Sequence, residues 1–405
     1  MISFNRRISG GSIFVQVLSS LLMLGCRGGT HSEATLLDLR NLEPAVQIDR
    51  AWGSSDDLIW ADLHGMVPLL SADGTPVLLS RTVGARFTDS VAIIRSSRGP
   101  ALRSFRLPSG EEILPAYSLP ERMKLDAFLP LDEGRVMVWD RRNQAVWTLD
   151  RASEGVDMVS ARLDGNPGSV IELASDTVWL RSTLRGGAGS STLEKAAWGF
   201  SLAGEPLVRV LLPDEIRYDH PFSPLSVRGN ERSPTRRETV DWSPRFGLVV
   251  ADNREYRFRI IRGDTAWTVR MPWEPIGYLP LERAWWDASA EEFTKRGSEV
   301  YTIPETKPAY RSATWDSDGR IWVLRHVPAE LVPGVQISDR LAMVEPQTYD
   351  VFSSQGEYLW SLSLPLLSRL LDVSGDRIMV SERHLDEENR ETVSVFRVGA
   401  TGLPE

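Results

Sequence analysis

The chain of 405 residues has a single cysteine, Cys26, so no intrachain disulfide can form. Lysine occurs only at Lys124, Lys195, Lys295 and Lys307, and the remaining cations are arginines with no basic run. With a net charge of -9 and no basic run, the chain is a poor match for the phosphate-neutralising surface of a nucleic-acid binder. Histidine is also sparse, and His31, His64, His220, His326 and His384 include no pair at zinc-ligand spacing. There is no Gly-x-Ser-x-Gly elbow for a nucleophilic serine. The glycines at Gly186, Gly187 and Gly189 lead to no Lys-Ser/Thr, so they do not make a phosphate cradle. After residue 25 no apolar run approaches the roughly 18 residues of a spanning helix.

What is present begins at the N-terminus. Arg6 and Arg7 precede a short apolar stretch, residues 13–24, of signal-peptide length. It ends at Leu22-Met23-Leu24-Gly25-Cys26. This resembles a bacterial lipobox, in which the small Gly25 admits the peptidase and Cys26 supplies the thiol to be lipidated. Met23 stands where leucine is usual. The resemblance implies residues 1–25 as a lipoprotein signal peptide and several acyl chains on Cys26. One acyl chain holds a membrane only marginally and two or more hold it durably. Removing residues 1–25 takes the net charge from -9 to -11, because Arg6 and Arg7 are their only charges. Residues 26–45, with Gly28, Gly29, Thr30 and Ser32, read as a tether. Arg27 is not the aspartate that retains many lipoproteins at an inner membrane, which favours the outer membrane.

The body of the chain repeats. An Asp- or Gly-containing turn followed by a β-rich strand recurs at 73–81, 132–140, 175–181, 245–252, 318–325 and 374–382. A further strand follows each, at 91–94, 145–149, 197–200, 256–260, 349–352 and 393–396. Six copies of one hairpin grammar predict an all-β, six-bladed β-propeller over residues 46–400, with 401–405 a tail. One stretch breaks the pattern. Residues 279–298 carry Leu281, Ala284, Trp285, Ala288 and Phe293 at helical spacing, which predicts a short helical insertion between blades four and five.

The motifs Asp318-Gly319-Arg320-Ile321-Trp322-Val323 and Tyr349-Asp350-Val351-Phe352 resemble the NHL and SMP-30-like propeller group. The resemblance covers roughly residues 45–400 and specifies fold far better than function. It implies, as one possibility, a lactonase with a carboxylate-held divalent cation polarising a lactone carbonyl. Asp140, Asp252 and Glu382 are the candidate ligands, but arginines alternate with them.

The repeat register yields one constellation. Each second strand closes on a charged residue: Arg81, Asp140, Arg181, Asp252, Arg325 and Glu382. Equivalent positions in a radial repeat form a ring, here of three cations and three anions, suited to a polar or zwitterionic ligand. Charged strand ends are also an ordinary way to meet solvent. The long segments 81–90, 181–195, 277–308 and 326–348 all map to one propeller face, where binding residues concentrate. The expectation is a monomeric, membrane-tethered binding or scaffold propeller, with an unknown ligand or protein at that face. No cofactor, catalytic residue or resident metal is assigned. The SMP-30-like hydrolase remains the alternative. A second alternative is a peptide or glycan recognition module using the helical insertion, where Trp285 and Trp286 lie side by side.

Overall fold

The structure, a computed structural model, describes residues 34–400 except 53–57, 98–101, 118, 120–122, 133, 141, 152–155, 161–169, 175–176, 185–191, 202–204, 217–235, 296–302, 336–341 and 386–389. Residues 1–25, expected to be a signal peptide, and Cys26 therefore lie outside the described residues.

Three N-terminal strands, β1 (Thr35–Asp38), β2 (Val46–Ala51) and β3 (Ala61–Pro68), precede the first blade. Blade one is β4 (Thr82–Phe87), β5 (Val91–Ser96), β6 (Leu102–Arg106) and β7 (Glu112–Tyr117). Blade two is β8 (Leu125–Pro130), β9 (Arg135–Asp140), β10 (Ala145–Asp150) and β11 (Val156–Ser160). Blade three is β12 (Val170–Ala174), β13 (Thr177–Leu184), β14 (Thr192–Ser201) and β15 (Pro206–Ile216). Blade four is β16 (Glu238–Ser243), β17 (Gly247–Asp252), β18 (Arg257–Arg262) and β19 (Thr265–Arg270). The helix α1 (Pro280–Lys295) follows it, as expected. Blade five is β20 (Tyr310–Trp315), β21 (Ile321–Arg325), β24 (Thr348–Phe352) and β25 (Tyr358–Ser363), with a small hairpin of β22 (Glu330–Leu331) and β23 (Met343–Val344) in its middle loop. Blade six is β26 (Ser368–Ser374), β27 (Arg377–Arg383) and β28 (Glu391–Ala400), completed by β3 from the other end of the chain. The fold is an all-β six-bladed propeller.

The second strands explain why the repeats read so clearly. Each is flanked by strands on both edges and by neighbouring blades on both faces. In β5, Ala92 and Ile94 pack toward blade six while Val91 and Ile93 pack toward blade two. In β9, Met137 and Trp139 face blade three while Val136 and Val138 face blade one. Side chains still alternate with period two, but both faces are dry, so the strand reads as an unbroken apolar run. Six hydrophobic clusters result, one at each blade interface, and α1 adds a small seventh around Trp286, Ala290 and Ile303. Each fully buried Phe, Ile, Leu or Val contributes about 1.5–3 kcal/mol.

In blades two and five the turns joining first and second strands are closed by carboxylates. Asp132 accepts from the Gly134 and Arg135 amides at 2.9 and 2.8 Å, and the Arg135 guanidinium returns to it at 2.7 Å. Asp316 accepts from the Asp318 and Arg320 amides at 2.9 and 2.8 Å, from Arg320 Nε at 2.6 Å and from Trp322 Nε1 at 2.9 Å. Gly319 in that turn has φ +81°, and a Cβ there would sit 2.6 Å from the Phe246 ring. Only glycine meets both demands.

The first repeat is a correction to the sequence register. Residues 73–81 do not form a second strand. Ser71 to Thr75 is a tight turn held by Asp73, which accepts from the Thr75 amide at 3.0 Å. The chain beyond it makes isolated bridges, Leu70 with Pro76 and Leu79 with Glu391. The first strand is β4, the second is β5, and the 91–94 segment thus moves inward by one strand. The 81–90 segment is β4 with its turn, not a long loop.

The N-terminal segment wraps the perimeter. β1 pairs in parallel with β15 outside blade three, and β2 with β19 outside blade four. Trp60 bridges Ser361 of β25 outside blade five, and β3 pairs antiparallel with β28 in blade six. Residues 35–38, expected within a tether, are therefore a strand of this belt.

Candidate functional site in the axial channel

The charged ends of the second strands do not converge on the axis. Blades stand radially and strand side chains point at neighbouring blades, so a second-strand residue sits one strand, about 4.8 Å, from the channel edge. Asp140 is fully buried and caps its own loop, accepting from the Lys124 and Arg142 amides at 3.0 and 2.9 Å and from the Asn143 side chain. Asp252 accepts from the Arg254 amide at 3.1 Å and pairs with the Arg254 guanidinium at 2.6 Å. Arg325 lies 3.6 Å from the buried Asp350 and over the Trp60 ring. Glu382 is exposed. Arg81 precedes β4, and the residue that matches Asp140 in blade one is Ser96, which faces Thr82 as Asp140 faces Leu125. Arg181 alone of the six lines the axial cavity. Among the described residues no group of three His, Cys, Asp or Glu side chains is placed to hold a metal.

A ring does form, one strand further in. Arg86, Leu129, Glu172, Asp241, Thr314 and Asp372 sit on the six first strands. They face the second-strand positions Ile93, Met137, Trp179, Val249, Trp322 and Met379. Each of those partners packs toward the next blade, so the six positions are equivalent. The acidic members reach across blade boundaries. Asp372 accepts from the Phe87 amide at 3.0 Å and pairs with Arg86 at 3.0 Å. Asp241 accepts from the Trp315 amide at 2.8 Å and pairs with Arg181. Glu172 accepts from Ser243 Oγ at 3.2 Å and lies 3.8 Å from Arg245. Burial raises the Asp372 carboxyl above its ordinary value, with Arg86 opposing. Burial likewise raises Glu172 against Arg181 and Arg245.

All of these but Asp241 line a cavity of 580 Å³ to which all six blades contribute. It occupies the half of the channel toward the turns that join first and second strands. The long loops gather at the other face. Seven charged side chains line it, and each has a partner: Arg86 with Asp372, Arg245 with Glu172, Arg181 with Asp241, Asp316 with Arg320, and Asp89 with Arg377 at 2.6 Å. Ser312, Thr314 and Ser374 add hydroxyls, and Phe87, Trp315 and Trp322 add aromatic surface. Chemically the cavity offers hydrogen-bonding groups beside apolar rings, with its charged side chains paired within the protein.

The sequence held a faint signal for this ring. A lone carboxylate recurs inside short apolar strands, in Val170-Ile171-Glu172-Leu173, Thr239-Val240-Asp241-Trp242 and Leu370-Leu371-Asp372-Val373.

The opposite face carries a second polar cluster, fully packed. Behind α1, Lys307 Nζ lies 2.8 Å from both Glu282 and Glu345. Arg311 and His326 Nδ1 meet the other Glu345 oxygen at 2.7 and 2.9 Å. Burial alone would raise Glu345, but Arg311, His326 and Lys307 hold it well below its ordinary 4.5. Burial lowers the His326 imidazole below 6.5 against the pull of Glu345. Lys307 and His326 are buried and the Glu345 side chain is 8% exposed, so the cluster fastens the connection between blades four and five.

No family model matches the chain, and no curated protein matches its sequence. Among solved structures it is similar to a DUF4221 family member from Bacteroides vulgatus, at 9% identity and TM-score 0.48, covering 85% of this chain and 99% of that one. It is similar to regucalcin, a calcium-binding protein from Agrobacterium tumefaciens, at 13% identity and TM-score 0.40, covering 89% and 98%. It is also similar to virginiamycin B lyase from Staphylococcus aureus, at 9% identity and TM-score 0.37, covering 83% and 99%. These likenesses are of fold alone.

Proposed function

We propose that the chain is an exported, monomeric lipoprotein, anchored through Cys26 in a bacterial outer membrane, that binds an uncharged polar ligand in the axial channel. The observation that carries the binding role is the cavity in which every charged lining residue already has a partner. A charged ligand seated beside Arg86–Asp372 or Arg181–Asp241 would have to break one of these mostly buried pairs, and leaving a buried charge unpaired costs about 3–5 kcal/mol. A neutral ligand that both donates and accepts hydrogen bonds meets no such penalty. The cavity volume falls within the range of small-molecule sites, about 300–1,000 Å³.

Native mass spectrometry of the protein released from envelopes tests the site. A co-purifying small molecule is expected, and it should be absent from Thr314→Trp, which fills the channel. Retention of the same molecule by a folded Thr314→Trp variant removes the channel from consideration. Cys26→Ser should move the protein from the membrane to the soluble fraction, and an unchanged distribution refutes the anchor.

The metal-dependent hydrolase reading has no observation in its favour. Asp140 and Asp252 have their oxygens engaged in loop caps, and Glu382 stands in a third blade. Stoichiometric metal in the purified protein, lost on mutating Asp140 and Glu382, would revive it.

A further inference from the structure

In the axial cavity charge is matched, but hydrogen-bonding capacity is not. A guanidinium carries five N–H groups. Arg86 spends Nη1 on Asp372 at 3.0 Å and on the Ala85 carbonyl at 3.4 Å, while its Nε and Nη2 meet no acceptor among the described residues. Glu172 Oε1 accepts from Ser243 at 3.2 Å, and Oε2 meets no donor among the described residues. The hydroxyls of Ser312, Thr314 and Ser374 are likewise unspent among the described residues. These five side chains stand on the first strands of blades one, three, five and six. Unspent donors and acceptors therefore surround the axis instead of lining one wall.

The aromatic lining offers the reverse. Trp315 Nε1 donates to the Gly247 carbonyl at 3.1 Å, Trp322 Nε1 to Asp316 at 2.9 Å, and the Tyr349 hydroxyl to Gln347 at 2.7 Å. With their polar atoms spent, these rings add carbon surface only. Trp322 and Tyr349 meet edge to face at 71°, so they form no slot between parallel rings for a planar base. An extended peptide carries its polar groups along its backbone edges, which suits a wall better than a ring.

We infer that the ligand of this cavity is a neutral saccharide. The inference rests on the channel being the ligand site proposed above. A sugar ring bears hydroxyls around its whole rim, and each hydroxyl both donates and accepts. They meet Arg86, Glu172, Ser312, Thr314 and Ser374 directly or through a bridging water. The C–H face of the ring lies on Trp315, the half-buried indole of the lining.

The test uses the full chain purified from envelopes. The small molecule it carries is released by heat and weighed by mass spectrometry before and after acid hydrolysis. A compound that is, or hydrolyses to, neutral monosaccharides is expected from wild type and not from Thr314→Trp. A channel-bound compound that contains no sugar overturns the class while the channel site stands. No compound from wild type, or the same compound from a folded Thr314→Trp variant, sinks the channel site and the class with it. Thr314→Val, Ser312→Ala and Ser374→Ala each delete an unspent hydroxyl without filling the channel. Dialysed beside wild type, each should lose occupancy in native spectra, with affinity about three- to tenfold weaker. Unchanged occupancy in all three overturns recognition by the hydroxyl ring.

Discussion

Gly319 and Glu345 show how single positions carry the fold. At Gly319 a side chain would meet both a left-handed backbone and the Phe246 ring. Gly319→Ala should destabilise by about 1–3 kcal/mol, read from the urea midpoint. Glu345 neutralises Lys307, Arg311 and His326 together in a buried place. Glu345→Gln should cost about 3–5 kcal/mol, because three cationic or cation-prone groups lose their counter-charge. Acid should attack the same cluster. His326 and Glu345 both have folded values below their ordinary ones, so each contributes stability that is present above that ordinary value and lost as pH falls. His326 acts below pH 6.5 and Glu345 below 4.5. Asp372, Glu172 and Glu282 are raised by burial and act in the opposite sense, their contribution present at low pH and lost as pH rises. The stability difference between wild type and His326→Gln should therefore shrink as pH falls from 7 to 5, followed by thermal unfolding. A constant difference would show that the imidazole does not titrate in this window.

At the scale of elements, the belt divides into parts of different weight. β3 supplies the outer strand of blade six, packing Ala61 and Leu63 against its core. β1 and β2 only extend blades that already have four strands. Truncation to residue 58 should lower the melting temperature modestly and leave one cooperative transition. Truncation to residue 69 removes β3, opens the ring between blades six and one, and should abolish soluble monomer. Circular dichroism with size-exclusion chromatography distinguishes these outcomes. The helix illustrates a different point. Its span was readable from apolar spacing, and Pro280–Lys295 falls inside 279–298. That its Glu282 would be tied to Lys307, 25 residues on, was not. Blade one shows where local grammar misleads. Ser71, Asp73 and Thr75 make a well-bonded turn, and the hydroxyls and amide around Asp73 depress its carboxyl to about 2. The turn is real, but the residues after it find only isolated bridges, so no blade strand forms.

For the whole molecule, the balance of charge matters more than its amount. The chain is acidic, yet the cavity's charges are matched within the protein. Affinity for the co-purifying ligand should change less than twofold between 50 and 500 mM salt. A steep fall would show that the ligand bears charge and engages an unmatched group.

The six-blade architecture, the insertion and the turn chemistry were legible in the sequence, because second strands dry on both faces and Asp/Gly turns are local patterns. The ring was not. Sequence register placed Arg81, Asp140, Arg181, Asp252, Arg325 and Glu382 at equivalent strand ends, but it could not tell that such residues point between blades. First strands are short, and their turns, not their own patterns, identify them. Arg86, Glu172, Asp241 and Asp372 gained meaning only when the ring closed and brought each opposite a neighbouring blade. Closure itself depends on β3 meeting β28 across the length of the chain, a pairing that no local pattern in either strand announces.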